Sequence, residues 1–416
     1  GRSRFQGYTN ARRGKLLEIA GISDQAKAAA HEFRPGPEEM SPAGRAAELL
    51  AGIPYLKGNS VELLIDGDET FGDILDFIDE AEEYILFQFF IVHDDEIGRE
   101  VKDHLIERAR AGVRVSFLYD EVGSYDLPKA YKNELRDAGV EVYDFHSQKG
   151  PSNRFQLNFR NHRKIVVVDG KLAWVGGHNV GDEYLGRDPE FGNWRDTHIR
   201  IEGPAVLSVQ LSFAEDWYWA TGRQLDLNWV PTASEHGDIP VLIVPTGPAD
   251  ELESANLMFV HAINSATERI WIASPYFVPD RPIITALQLA ALRGVDVRIL
   301  IPDKADHLAV YLAAYAYLEE TESVGVKFYR YLDGFLHEKA MLVDDNLAAI
   351  GTANFDNRSF RLNFEITAIV ADKIFAAHVE EMFVADFAKS RMMEAGEYDR
   401  KPWYFRFGVR LARLTS

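Results

Sequence analysis

The chain contains no cysteine. That excludes disulfides, thiolate nucleophiles and cysteine metal sites, and it leaves the compartment open. Long apolar runs are lacking too. The longest, "YILFQFFIV" at 84–92, is too short to cross a bilayer and carries Gln88, so it reads as a buried strand. Positive charge is scarce: 45 Lys and Arg stand against 65 Asp and Glu, a formal net charge of −20. This balance argues against a nucleic-acid partner, because binding a polyanion needs a cationic surface that releases counterions. Residue 1 is Gly rather than Met, so an upstream segment is expected. With 416 residues, 46% hydrophobic and 26% charged, the composition is that of a globular protein with a sizeable core.

The few cations gather at the ends. Residues 1–15 hold Arg2, Arg4, Arg12, Arg13 and Lys15 and no acid; residues 400–416 hold Arg400, Lys401, Arg406, Arg410 and Arg413 and no acid. Basic ends on an acidic body suit an anionic lipid surface, and "KPWYFRFGVRLARL" (401–414) mixes aromatics with arginines as an interfacial helix does. Two solvated tails are the alternative.

What is present in unusual order is "NHRKIVVVDG" at 161–170. Ile165 to Val168 are β-branched and Asp169-Gly170 is a turn signal, so the stretch reads as a strand with His162 and Lys164 on one face. A buried lysine needs compensation, from an anionic ligand or a carboxylate. The pattern returns in "LHEKAMLVDD" at 336–345, where His337, Lys339 and Asp344 repeat the spacing of His162, Lys164 and Asp169. "GGHN" ends at Asn179 and "GTAN" at Asn354, 17 residues after each histidine. The flanks repeat as strand, helix, turn, strand: "YILFQFF…LIERARAGVRVSFLYD" and "RIWIASPYF…LQLAALRGVDVRILIPD". The chain is therefore an internal duplication of an α/β unit. The expected parts are a helical, juxtamembrane segment 1–58, a first half 59–225, a linker 226–240, a second half 241–395 and a basic amphipathic segment 396–416.

If the halves pack about a pseudo-twofold axis, two histidines, two lysines and two asparagines converge. The lysines and amides, with backbone N–H groups of the glycine turns, suit a phosphoryl group whose charge grows in the transition state. One imidazole can attack phosphorus while the other protonates the leaving oxygen. The lysines supply the positive charge, so this chemistry calls for no metal and no cofactor. A nucleophilic histidine needs an orienting carboxylate. Asp196, 34 residues after His162, and Glu365, 28 residues after His337, are the candidates, against a strand-end capping role. Asp169 and Asp344, at strand-end turns, hold motif geometry or neutralise a lysine rather than touch substrate. Phe89, Phe90, Tyr276 and Phe277 either line a lipid path or pack in the core. "VHDDE" at 92–96 reads as a solvated acidic loop in preference to a metal cluster.

Paired HxKxxxxD with GGxN or GTxN resembles the phospholipase D superfamily. "RNHRKIVVVDG", "VGGHNVGDEYLG", "WRDTHIRIEGPAV", "FAEDWYWATG", "SPYFVPD", "FLHEKAMLVD", "GTANFDNRSFRLNFEI" and the opening "GRSRFQGY" are similar to its bacterial cardiolipin synthase branch, over essentially the whole chain. The resemblance implies two mixed β-sheets flanked by helices and packed around one active site. It implies that His162, Lys164, Asp169, His337, Lys339 and Asp344 form the catalytic motifs, with Asn179 and Asn354 assisting substrate binding and no metal. It implies transfer of a phosphatidyl group between two phosphatidylglycerols, giving cardiolipin and glycerol, with hydrolysis to phosphatidic acid as the alternative. Phosphatidylethanolamine or a phosphatidylalcohol would present the same phosphodiester. The histidine of the first motif, His162, is the favoured nucleophile, and Arg358, Ser359 and Phe360 are expected near the pocket. Membrane-spanning helices upstream, and a place at the bacterial inner membrane, are likewise implied.

Overall fold

The computed structural model describes residues 22, 24–36, 41–145, 159–304, 308–394 and 396–413. The basic stretch 1–15 and "GRSRFQGY" lie outside the described residues. The first half contributes strands β1 (Leu56–Ile65), β2 (Tyr84–Phe89), β3 (Arg114–Tyr119), β4 (Glu141–Asp144), β5 (Ile165–Val168), β6 (Leu172–Gly176) and β7 (Thr197–Glu202). The second contributes β8 (Ile239–Thr246), β9 (Arg269–Ala273), β10 (Asp296–Pro302), β11 (Lys327–Tyr331), β12 (Ala340–Val343), β13 (Leu347–Gly351) and β14 (Asn363–Val370). The first half is ordered β4-β3-β2-β5-β6-β7-β1 and the second β11-β10-β9-β12-β13-β14-β8. The duplication read from the motifs is thus a duplication of topology, strand for strand.

Each half is a mixed sheet for a local reason. Crossover helices Glu96–Arg110 and Arg281–Leu292 return the chain parallel, pairing β2 with β3 and β9 with β10. Tight turns then make β5–β6 and β12–β13 antiparallel hairpins. In the three-residue loop between paired Val168 and Leu172, Asp169 (φ 53°) and Gly170 (φ 67°) are both left-handed, and Lys171 N closes the turn on Val168 O. The β2 reading holds: all six of its residues are buried. His162 and Lys164, by contrast, lie just before β5 rather than within a strand.

The two sheets join edge to edge. β1 pairs with β7 through Ser60–Ile65 and with β8 through Leu56 and Asn59, so this strand runs across the expected boundary at 58/59. Asn59, fully buried, holds the seam: its amide donates to Leu56 O and Ile239 O, and its Oδ1 accepts from Ala205 N at 2.8 Å. The helices that follow β7 and β14, Val206–Thr221 and Lys373–Ala388, bury Phe213, Trp217, Val379 and Phe383 in one core shared by both halves. The segment after residue 396 is no solvated tail: helix Trp403–Arg413 packs Phe405 and Val409 on helix Leu308–Glu322.

The motif aspartates are fold residues. Asp169 accepts from the N–H groups of Glu82, Glu83 and Tyr84 at 2.8–2.9 Å, and Asp344 from those of Thr267, Glu268 and Arg269. Each locks the turn before the parallel strand to the motif hairpin. Asp169→Ala therefore removes three charge-assisted bonds at a buried position and should cost on the order of 3 kcal/mol. It should appear as a lowered melting temperature, with a smaller drop for the more exposed Asp344→Ala. An unchanged melting temperature with lost activity would instead put Asp169 in the chemistry.

Candidate active site

The site is built by short strand pairs that cross between the halves. Arg160–Asn161 pairs with Asn363–Phe364, and Trp194–Arg195 pairs with Phe335–Leu336, both parallel. His162 N therefore donates to Phe364 O at 2.9 Å, and His337 N to Arg195 O at 2.8 Å. The next residue in each partner strand is the carboxylate. His162 Nδ1 lies 2.9 Å from Glu365 Oε2, and His337 Nδ1 lies 2.6 Å from Asp196 Oδ2. Both carboxylates meet imidazoles, and each serves the histidine of the opposite half. The in-chain spacing gave no hint of this exchange.

The two imidazoles differ in one respect. His162 Nδ1 touches two acceptors, Glu365 and the Thr352 carbonyl at 3.1 Å, so it carries the proton and leaves the Nε2 lone pair free. His337 Nδ1 touches the Asp196 carboxylate and the Lys339 ammonium, both at 2.6 Å. Burial pushes the His162 imidazole below its ordinary range against the pull of Glu365. Burial and Lys339 push His337 down to about 3. Burial likewise lowers Lys164 to about 7 and Lys339 to about 8, despite Glu365 and Asp196. Burial opposes ionisation of both carboxylates, yet Lys339 and His337 hold Asp196, and His162 and Lys164 hold Glu365, below the usual carboxylate range. The cluster holds its cationic protons loosely and its anions firmly, which suits an arriving phosphate.

His162, His337, Asn179 and Asn354 line one cavity of about 900 Å³. Asn179 Oδ1 accepts from Ile91 N at 3.2 Å. Lys164 Nζ folds back onto His162 O at 2.8 Å, and Lys339 Nζ onto His337 O. Neither the motif lysines nor Asp169 and Asp344 are among the lining residues, and the oxygens of the two aspartates are spent on backbone N–H groups. The glycine-turn N–H groups also differ from expectation. Those of Gly177, Thr352 and Asn354 bond Thr197 O, Ile366 O and Ser359 Oγ, leaving the side chains to meet a substrate. Gly177 is needed for another reason: a Cβ there would lie 1.9 Å from Asp196 Oδ1.

Alternation along the chain sorts the aromatics. Phe90 and Tyr276 line the cavity, whereas Phe89 and Phe277 are core. Arg358 lines the cavity, Ser359 is buried beneath it, and Phe360 packs on Phe259 and Phe355. Within "VHDDE", Asp95 caps helix Glu96–Arg110 through Gly98 N. No metal-holding group of His and acidic residues occurs among the described residues. Sequence reasoning missed the residues between the motif letters. Arg163 pairs with Asp216 at 2.9 Å, both fully buried, and Glu338 pairs with Arg195, which also holds Asp386. The signal was available: a charge at the alternate position of "HRK" and "HEK" faces away from the cavity and needs its own partner. Thr352 and Asn363, which hydrogen-bond the two oxygens of Glu365, carried no signal of that kind.

This geometry defines a two-histidine phosphoryl-transfer centre assembled from duplicated halves. The chain matches the family described as "Cardiolipin synthase, PLD-like domain" over residues 74–217 and 259–387, one motif in each segment. It is 47% identical over 424 residues to cardiolipin synthase A of Pseudomonas fluorescens, covering 100% of this chain and 87% of that protein. It is 51% identical over 372 residues to cardiolipin synthase A of Pseudomonas putida, covering 89% and 78% respectively. The fold is shared with phosphatidylserine synthase of Haemophilus influenzae Rd KW20, at TM-score 0.64 and 16% identity over 90% of this chain and 98% of that one. The chain belongs to the cardiolipin synthase family of phospholipase D-like proteins.

The crossed pairing makes a specific prediction. Glu365→Gln should lower activity on the order of 10²- to 10⁴-fold and shift the NMR titration of His162 in the first half. Asp196→Asn should shift His337 instead. A shift of the histidine in the same half as the altered carboxylate would contradict the crossing.

Proposed function

We propose that the protein makes cardiolipin by transferring a phosphatidyl group from one phosphatidylglycerol to another through a covalent histidine intermediate. Membership of the family supports phosphatidyl transfer. The observation that carries the mechanism is that His162, whose ring lines the cavity, turns Nδ1 to two acceptors, which assigns the proton to Nδ1 and leaves the Nε2 lone pair for attack. In the first step His162 Nε2 attacks the donor phosphorus, the bond to the glycerol oxygen breaks, and His337 gives that oxygen a proton. A bound phosphodiester anion favours the imidazolium form of His337 that this requires. In the second step His337 takes the proton of the acceptor's headgroup hydroxyl, the new P–O bond forms, and the P–N bond to His162 breaks. Lys164 and Lys339 neutralise the equatorial oxygens, and Asn179 and Asn354 donate amide hydrogens to them. Apolar lining from Ile91, Val122 and Val278 suits acyl chains and keeps water away.

Incubation with phosphatidylglycerol should give cardiolipin and free glycerol, lost in both His162→Ala and His337→Ala. With a phosphatidyl donor whose leaving group needs no proton, such as phosphatidyl-p-nitrophenol, His337→Ala quenched in neutral detergent should retain phosphorus-labelled lipid on His162, while His162→Ala should carry none. Phosphatidic acid as the sole product would overturn the transfer reading, and label on the His162→Ala protein would move the nucleophile to His337.

The surface that delivers the substrate is the helix Trp403–Arg413. Its inner face packs Val409 and Ala412, and Ala412 reaches the cavity lining. Its outer face leaves Trp403 74%, Tyr404 64%, Phe407 62% and Leu411 57% exposed, with Arg410 beside them. Aromatics and arginines on an acidic body fit an anionic lipid surface, which supports a position at a bacterial membrane, the inner membrane in our reading. No helix among the described residues is long and apolar enough to cross a membrane. Phe407→Glu with Trp403→Glu should cut flotation with phosphatidylglycerol vesicles about 10-fold or more, judged by burial of two aromatics. Unchanged flotation would remove this helix from the membrane contact.

A further inference from the structure

Three guanidiniums line the cavity without a role in the histidine chemistry; Arg361 is paired with Asp280 and Glu253, and the other two stand closer to the junction of the halves. Arg160 comes from the first half and Arg358 from the second, and both line the cavity. The parallel pairing of Arg160 with Asn363, just past the helix Asn357–Arg361, brings them to one wall. Arg160 lies over the Phe90 ring at 5.9 Å, and that ring packs on the His162 imidazole with centroids 4.9 Å apart. Arg160 therefore stands one aromatic ring from the imidazole of His162. Arg160 Nε is buried with no hydrogen-bond partner among the described residues. Burial and the neighbouring Arg160 push Arg358 below its ordinary range, while Asp356, Asp120 and Glu365 pull it back. Those carboxylates also serve the Ser359 N–H, the Val122 and Asn161 N–H groups, and His162.

We propose that Arg160 and Arg358 form a second phosphate subsite, which holds the phosphodiester of the acceptor lipid while its headgroup hydroxyl attacks the phosphorus at His162. The inference rests on the phosphatidyl-transfer reading. The donor phosphate takes the part of the cavity lined by His162, His337, Asn179 and Asn354. An acceptor phospholipid brings a second anion, separated from the reacting hydroxyl only by its glycerol. Water or a neutral alcohol brings none. Guanidinium forks match phosphate oxygens in pairs, and two forks on an aromatic wall suit an anion delivered with its lipid.

The test compares two acceptors on one donor. Cardiolipin formation from phosphatidylglycerol is measured beside exchange of labelled glycerol into phosphatidylglycerol, for wild type, Arg160→Gln, Arg358→Gln and the two Arg→Lys variants. The Gln variants should lower the ratio of cardiolipin formed to glycerol exchanged by about 10- to 100-fold, as expected for lost charge-assisted hydrogen bonds, and Lys should restore part of it. A parallel fall in both reactions, or a fall in neither, would overturn the subsite while leaving the transfer reading standing. The Lys variants guard against misfolding, since a merely structural arginine would not change the acceptor ratio. Wild type that releases phosphatidic acid and forms no cardiolipin would defeat the transfer reading and the subsite with it.

Discussion

Everything at the centre depends on one exchange: each histidine is held by the strand and the carboxylate of the other half. The backbone bond from His162 to Phe364 and the side-chain bond to Glu365 are consecutive in sequence, as are those from His337 to Arg195 and Asp196. A half on its own would hold an imidazole without a partner and a carboxylate without a cation. Both are costly when buried. Docking of the halves and assembly of the site are therefore the same event. The shared core around Trp217 and Phe383 and the β1 seam supply the rigidity that this registration needs.

Charge balance explains the second layer. Lys164, Lys339, Glu365 and Asp196 sum to neutrality, and all are buried. The residue between the motif letters adds one more charge in each half, and each finds a partner beneath the cavity: Arg163 with Asp216, Glu338 with Arg195. Removing one member would leave an uncompensated buried charge, which is far costlier than never having had the pair. The depressed lysines show that the neutral core holds its ammonium protons weakly. An arriving phosphodiester tips this balance by favouring the charged lysines, so substrate binding and protonation reinforce one another.

Much of this was legible in the chain. The hairpin after each lysine follows from a short apolar run, β-branched in the first half, ending in Asp-Gly or Asp-Asp, and the duplication follows from two motifs at identical spacing. The candidate carboxylates were legible as acids heading apolar strands. Their assignment was not, because spacing along a chain says nothing about which of two equivalent sites a strand reaches once the halves exchange edges. The motif aspartates carried an ambiguous signal for a related reason. An acid repeated at the same turn of both halves can face a ligand or fasten a neighbouring strand, and only the positions of Glu82 to Tyr84 decide for Asp169. Of the Arg160–Arg358 wall, only Arg358 was expected near the pocket; the place of Arg160 beside it was invisible, since it arises where one half's short strand lies against the other half's helix.

A ping-pong transfer between two lipids sets a problem that intrinsic reactivity does not solve. On the mechanism proposed above, once glycerol has left, the phosphatidyl-histidine would face both water and the acceptor hydroxyl, two nucleophiles that are chemically alike. Discrimination then has to come from position. A hydroxyl held in line next to the phosphorus has an effective molarity far above that of a solvent molecule passing through. Such holding requires a handle on the acceptor that water lacks, and a phospholipid acceptor has one in its own phosphate. A cationic wall beside His162, on the side where the two halves meet, is where that handle would be grasped. The apolar lining does the complementary task by lowering the density of water at the reacting centre. In this arrangement the choice between transfer and hydrolysis rests less on the histidine motifs, which serve either outcome, than on the residues that surround the second substrate.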